Sequence, residues 1–542
     1  MELLLLLVPV LGATAVSGPW PRCKCTPSNS CWNEIDWAGL NASVKKQCVY
    51  VASQWSNTTF QSDEPIGYCY PVDNNCPIVT RTQHGKCDLG SSPVYTINTT
   101  KPEDLAVGIL FAQENNVRLV IRNTGHDLLG KSLGYGSLQI WIRHLRKGII
   151  YQEVHEPSAG CRGSLWHGAA FTVAGGYVWD EVYEEAFFRD SIVVGGGDPT
   201  VGVIGGYIQG SGHSPASQDF GLASDQILEA HVILADGSVV TASPCSYPDL
   251  FTALRGGDGG TYGVVVSATI KAYPSKPVVA HSLVIVPTFP SEPGPLLDAI
   301  TEIYAAVPAF LMRASRDMAL AGYQHSLAAL KMSLSKSKAA LGPFLERLGG
   351  YGSLNMSVEW FEFPSYSAYY RALSGVHQPT GVREFALACR MFDKTALASA
   401  PVSLPRVIGV LLVGGGKVLE EPQYSGANLA WRRTYLVHEV ARAWQRNAEP
   451  TIADEIRKDI TYHKYGAMRQ LITFTGSYLN EADRNNPWWK EDFYGAENYE
   501  RLLNIKTMYH PDGVFYCPTC VGSPSWHVRK LPGEEYGPLC AA

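Results

Sequence analysis

Apolar and polar positions along the chain set out a succession of short strands and helices. Val117, Leu119 and Ile121 alternate with Arg118, Val120 and Arg122, a period of two that predicts a strand. Upstream, Leu105, Ala106, Ile109, Leu110 and Gln113 recur at helical spacing behind Thr100-x-x-Glu103, which reads as a capping box. This helix–strand unit runs straight into Asn123-Thr124-Gly125-His126. Further apolar runs at Ile192–Val194 and Val264–Val266 predict strands, and residues 221–238 predict a pair of strands about an Asp236-Gly237 turn. Past about Tyr273 the texture changes. A proline-rich bridge, Pro287–Pro295, precedes helices predicted over Leu296–Val307, over Lys331–Leu348 with a break at Pro343, and over Leu436–Asn447. Strands are predicted over Val407–Val413 and Ala467–Thr475. Asn498–Tyr509 is patterned as a helix, and Pro511–Phe515 as a turn into a closing strand.

The 542 residues exceed what one hydrophobic core ordinarily serves, so the change of texture predicts two lobes. A 46% hydrophobic and 17% charged composition describes a globular chain, and a net charge of -6 argues against nucleic acid as a partner. Leu3–Val10 is apolar and is followed by small residues, so residues 1–17 read as a secretory signal too short to serve as a stable membrane anchor. Sequons at Asn41, Asn57, Asn98 and Asn355 agree with that route. So do 13 cysteines, seven of them between Cys23 and Cys87, which predict a disulfide framework. Cys517-Pro-Thr-Cys520, with His510 and His527 nearby, has the form of half a zinc site. In an oxidising compartment, with Cys540 as a third sulfur, disulfides are the better expectation and no metal is assigned. The odd count leaves a thiol over, and Cys389 in its apolar context is the buried candidate.

Three glycine clusters, each beside an apolar strand, point to a shared ligand cradle, because glycine lets backbone approach a ligand closely. Gly125 to Ser132 spells G-x-x-x-x-G-K-[ST], the phosphate-loop pattern. That loop requires a helix to start at Lys131-Ser132, whose amides hold the phosphates. Gly134 and Gly136 would each cost such a helix about 1 kcal/mol relative to alanine. Lys131 is therefore read as a loop residue. None of the clusters has G-x-G-x-x-G spacing opening a helix, and no G-x-S-x-G elbow is present.

Arg122-Asn123-Thr124-Gly125-His126-Asp127-x-x-Gly130-x-Ser132 resembles the FAD-attachment motif of the vanillyl-alcohol-oxidase/PCMH family. Asp198-Pro-Thr200-Val201-Gly202-Val-x-Gly205-Gly206-x-x-x-Gly210-x-Gly212 resembles its second FAD loop, and Arg255-Gly-Gly-x-Gly-Gly-Thr-Tyr-Gly263-Val264-Val its third. Tyr478-Leu-Asn480-x-x-Asp483 and the run from Tyr494 to Phe515 resemble the berberine-bridge-enzyme-like branch. Cys23-Lys-Cys25-Thr-Pro with Cys31-Trp32 is similar to secreted fungal isoamyl-alcohol-oxidase-like proteins. The likeness covers about residues 75–520 in order. It implies an α+β fold: a PCMH-type FAD-binding domain (76–272) behind a cysteine-rich segment (18–75), an inserted mixed α/β substrate domain of antiparallel sheet covered by helices (273–490), and a segment (491–542) returning to the FAD domain.

The resemblance also assigns roles. His126 would bind the flavin 8α-methyl carbon through a ring nitrogen. The branch makes a second bond from a cysteine at the position held here by Asp198, so a single covalent link is expected. Amides of Asn123, Thr124, Gly125, Gly205 and Gly206 would take the pyrophosphate, with Arg122, Asp127, Ser132, Thr200, Gly202 and Gly210 completing the loops. Gly263 and Val264 would meet the adenosine half, and Val201 would govern oxygen access in the permissive, oxidase-type manner. Tyr478, with Asn480 beside it, is the candidate pocket phenol near flavin N5, and it acts as a base only if its pKa is lowered. Asp483 reads as structural. The implied activity is hydride removal from a small alcohol or secondary metabolite, with O2 as acceptor and H2O2 as product. Its rivals are a carbohydrate oxidase of the same fold and a flavin-retaining module without turnover. Nothing in the sequence sets the oligomeric state.

Overall fold

A computed structural model describes residues 23–51 and 89–542, apart from short stretches at 159–160, 162–165, 290–293, 311–313, 317–322, 331–332, 375–383, 400–408 and a few one-, two- or three-residue positions. The expected signal, Asn57 and three of the seven clustered cysteines lie outside the described residues.

Two sheets make up the glycine-rich half. In the first, β1 (Cys48–Tyr50), β2 (Tyr95–Asn98), β3 (Arg118–Arg122) and β4 (Ser137–Trp141) are ordered β1-β2-β4-β3. β4 pairs in parallel with both β2 and β3. Helix α1 (Pro102–Glu114) joins β2 to β3 and buries Leu105, Ile109 and Ala112 against them. Its N-cap is Lys101 with Pro102 in the first turn, so the expected Thr100 box is absent. The Thr100 hydroxyl donates to Gln47 instead. Proline at this position gives up an amide that has no helical partner anyway. The second sheet is antiparallel: β5 (Ile149–Gln152), β6 (Ala170–Ala174), β7 (Ile227–Ile233), β8 (Val239–Ala242) and β9 (Val264–Lys271), in the order β5-β6-β9-β7-β8. The Asp236-Gly237 turn joins β7 to β8, with Gly237 at φ 79°.

After β9 the chain builds a second pair of antiparallel sheets. One contains β10 (Val278–Pro287), β11 (Tyr323–Leu330) and β12 (Leu354–Phe363), with β10 in the middle. Helices Gly294–Phe310 and Leu334–Gly349 cover it, packing Ile303, Tyr304, Phe344 and Leu348 onto Leu283 and Ile285. Pro343 sits inside the second helix and does not break it. The other sheet contains β13 (Glu384–Asp393), β14 (Gly409–Leu411) and β15 (Thr434–Trp444), with β15 central. This overturns the helix expected at Leu436–Asn447. Leu436 to Val440 is buried on both faces of the strand, which erases the alternation that marks a strand in sequence. The strand expected at Ala467–Thr475 is likewise a helix, Tyr465–Leu471, continuing a helical run from Pro450. Ala467, Met468, Arg469, Gln470 and Leu471 are all strong helix formers.

The C-terminal helix, Ala496–Tyr509, returns to the first half. Tyr499, Leu502 and Ile505 join the core of the second sheet, and Phe515 bridges Leu119 of β3. Disulfides join Cys23 to Cys540, Cys25 to Cys31, Cys161 to Cys245 and Cys517 to Cys520. The sulfurs considered for zinc are thus bonded to one another, and His510 Nε2 donates to the Phe515 carbonyl. Among the described residues Cys48 and Cys389 are the free thiols, the latter buried. No helix among them is long and apolar enough to cross a membrane.

Candidate active site

Between β3 and its parallel neighbour β4, residues 123–136 form an irregular loop with no helix at Lys131. Gly125 adopts φ 89°, and a side chain there would fall within 2.5 Å of the Arg122 guanidinium. Arg122 therefore lies buried beneath the loop rather than in the cavity above it. The Asp127 carboxylate ties the far side, accepting from Leu129 N (3.2 Å), Ser132 N (2.6 Å) and Ser132 Oγ (2.9 Å).

This loop and the two other glycine segments surround one cavity of about 750 Å³, within the range of roughly 300–1,000 Å³ usual for small-molecule sites. Asn123, Thr124, Gly125, His126, Asp127 and Ser132 line it from the first loop. Asp198, Val201, Gly202, Gly205 and Gly206 line it from the second, and Gly263 and Val264 from the third. Tyr478 and Asn480 close the wall. Arg122, Thr200 and Gly210 are not among the lining residues. Thr200 touches His126, and Gly210 leaves room for the Asn480 amide, which a side chain there would strike at 2.7 Å.

His126 Nε2 lies 2.6 Å from Thr200 Oγ1 and 3.8 Å from Asp198 Oδ1. Asp198 Oδ1 in turn accepts from the backbone N and hydroxyl of Thr200, both at 2.8 Å. Burial lowers the His126 pKa below the usual imidazole value; Asp198 opposes this and Arg122 reinforces it. The neutral ring keeps a nucleophilic nitrogen. A flavin dinucleotide fits the residues present. Gly260 lines the cavity at φ 68° with nothing within 4 Å of the space a side chain would take. Two buried lining acceptors, Asn123 Oδ1 and Gln209 Oε1, have no hydrogen-bond partner among the described residues.

On the opposite wall, Asn480 Nδ2 donates to the Gly206 carbonyl (3.0 Å) and to Tyr478 Oη (2.9 Å), joining the wall to the second loop. Burial raises the Tyr478 pKa well above the phenol range, and the Glu481 charge adds to the shift. Tyr478 is thus a neutral phenol, not a base. Above it, Phe385 and Leu387 of β13 pair with Ala443 and Ala441 of β15, putting these four lining residues on one face of the sheet.

Sequence reasoning missed several lining groups. Lys131 lines the cavity with its ammonium 2.5 Å from Asp258. Asp258 also lines it, at φ 89° and 1% exposed, and accepts from Tyr494 Oη at 2.9 Å. Its signal was an aspartate inside the glycine run 256–260. Glu481, beside Asn480, lines the cavity and meets His213.

Fold and cavity together define an FAD-dependent oxidoreductase. Residues 93–243 match the FAD binding domain family, and residues 477–522 the berberine and berberine-like family. The chain is 35% identical to FAD-linked oxidoreductase hmp9 of Hypomyces subiculosus, over 93% of this chain and 88% of that protein. It is 34% identical to FAD-linked oxidoreductase apf9 of Gibberella fujikuroi, over 96% and 97%. The crystal structure of VAO-type flavoprotein MtVAO713 from Myceliophthora thermophila C1 superposes with a TM-score of 0.86 at 33% identity, over 96% of this chain and all of that one. The chain belongs to the vanillyl-alcohol-oxidase/PCMH family of FAD-linked oxidoreductases, in its berberine-bridge-enzyme-like branch. Glucooligosaccharide oxidase from Acremonium strictum shares the fold, with a TM-score of 0.63 at 17% identity over 80% of this chain and 92% of that one.

Proposed function

We propose that this chain is a secreted oxidase that removes a hydride from a small alcohol or secondary metabolite and passes the electrons to O2, giving H2O2. The FAD would be held by one covalent bond, through His126. The observation that carries this reading is the neutral imidazole of His126 on the cavity wall, oriented by Thr200 and Asp198. A histidyl bond of this kind, together with a cysteinyl one, is named for the Acremonium enzyme. Asp198 stands where the second bond would start, and its carboxylate is spent on its own turn.

Bound there, the flavin supplies a two-electron hydride acceptor. The chain does the rest. Backbone amides of the glycine loops would take the diphosphate charge. Asn480 fixes the Tyr478 hydroxyl, which would hydrogen-bond a substrate oxygen. The Phe385, Leu387, Ala441 and Ala443 face excludes water and suits the hydrocarbon body of an alcohol better than a sugar. We assign residues 76–272 and 491–542 to the cofactor lobe and 273–490 to the substrate lobe. Asn355, exposed on strand β12, is the sequon best placed to carry a glycan.

Acid precipitation tests the attachment. Wild-type protein should yield a yellow pellet, and His126→Ala a colourless one with the flavin released. A colourless wild-type pellet would remove the covalent link. Peroxide release across an alcohol panel, absent with sugars, tests the activity.

A further inference from the structure

The carboxylates lining the cavity are not held alike. Asp127 accepts from the backbone and hydroxyl of its own loop, and so does Asp198. Asp258 is paired with Lys131 and Tyr494. Each is committed to hydrogen-bond donors of the surrounding loops and wall. Glu481 differs, because its Oε2 lies 3.3 Å from Nε2 of a histidine, His213. An imidazole carries one nitrogen that donates and one that accepts, so this pair can relay a proton. The two side chains keep 19% and 15% exposure, and Glu481 lines the cavity.

The pair is positioned with care. A 3₁₀ turn, Leu479–Glu481, follows Tyr478, and Glu481 N donates to the Tyr478 carbonyl at 3.0 Å. That turn sets Glu481 on the wall that carries Tyr478 and Asn480. The His213 ring meets the Tyr478 ring edge-on at 4.9 Å and the Trp431 ring at 6.4 Å. Tyr207 Oη donates to the His213 carbonyl, fixing the backbone. The titratable groups facing Glu481 are His213, Tyr207, Tyr478 and Cys389. Burial keeps both phenols and the thiol protonated, and His213 is the neighbour in hydrogen-bond contact with the carboxylate.

We propose that Glu481 is the general base of the reaction and that His213 is its positioning partner and proton outlet. The proposal rests on the oxidase reading above. The Glu481 carboxylate removes the alcohol O–H proton while the hydride on the adjacent carbon passes to the oxidised flavin. The C–O bond becomes C=O, the two electrons leave with the hydride, and O2 later accepts them. The proton on Glu481 returns to solvent through the His213 imidazole.

The test uses flavin-loaded protein mixed anaerobically with primary alcohols, following loss of the flavin absorbance. Glu481→Gln should slow reduction by roughly 10²–10⁴-fold. A tertiary alcohol, which has no hydride to give, should still perturb the flavin spectrum with a Kd within about threefold of wild type, as expected of lost proton transfer rather than lost binding. Formate should restore part of the rate to Glu481→Ala, and a fluorinated alcohol, whose hydroxyl is more acidic, should suffer less from Glu481→Gln. His213→Asn should move the acid limb of the pH profile with a smaller loss of rate. Wild-type reduction rate and pH profile in Glu481→Gln would overturn the proposal, as would loss of tertiary-alcohol binding in that variant. Wild-type protein that stays yellow with every alcohol would instead sink the oxidase reading, and the base with it.

Discussion

The Lys131 ammonium lies 2.5 Å from the carboxylate of Asp258, a residue 1% exposed and held at φ 89°. The pair joins the first flavin loop to the third. Lys131→Met strands a buried charge, and should cost about 3–5 kcal/mol in chemical denaturation. The double variant Lys131→Met/Asp258→Gly removes the charge and puts glycine where φ is positive, so it should recover most of that loss. Equal destabilisation in the single and double variants would show that the pair is not what holds the loops.

Asp198 sits 3.8 Å from His126 Nε2, at the position where the branch carries a cysteine. In a His126→Ala background, Asp198→Cys should restore acid-resistant yellow colour by supplying the other bond. Colour lost in both variants would show that this loop has been read out of register.

Three buried histidines should set the acid stability. Burial holds His281 and His438 down to about 4, and burial followed by the Lys506 charge holds His510 down to about 3. Their unfolded values lie near 6.5, so the unfolded chain binds more protons below that pH. Stability is therefore full above pH 6.5 and falls as pH drops towards 4, by roughly 3 kcal/mol per histidine at the limit. Thermal melts between pH 7 and 4 should show the decline, and His438→Gln should make it shallower.

Arg390 and Asp492 form a fully buried pair at 2.7 Å, completed by Tyr465 and Asn486. It fastens strand β13 to the segment leading into the C-terminal helix. Asp492→Ala should cost about 3–5 kcal/mol by leaving Arg390 buried and unpaired. A loss under 1 kcal/mol would argue that water reaches the guanidinium.

The cofactor loop was legible because its signal is local: a period-two strand, glycines that forbid a helix, and His126 between them. Strand β15 was misread because Leu436 and Val440 stand four apart, as on a helix, in a strand buried on both faces. The charged partners were invisible for another reason. Lys131 and Asp258 are 127 residues apart, and His213 and Glu481 are 268 apart. No window of sequence joins such pairs; only the packed sheets do. Tyr478 was found, yet its protonation depends on burial and on Glu481, which the fold decides.

The bond between Cys23 and Cys540 spans a sequence separation of 517 and closes the chain between them into a ring. A single proteolytic nick between them would leave both pieces tethered, so a cleaved molecule would run intact until a reductant is added. Synthesis is constrained as well. Phe515 and the helix Ala496–Tyr509 belong to the core that the first third of the chain begins, so that core stays open until residues as far as Phe515 have left the ribosome. Maturation of the flavin site in this sense waits on a residue made about 390 positions after His126.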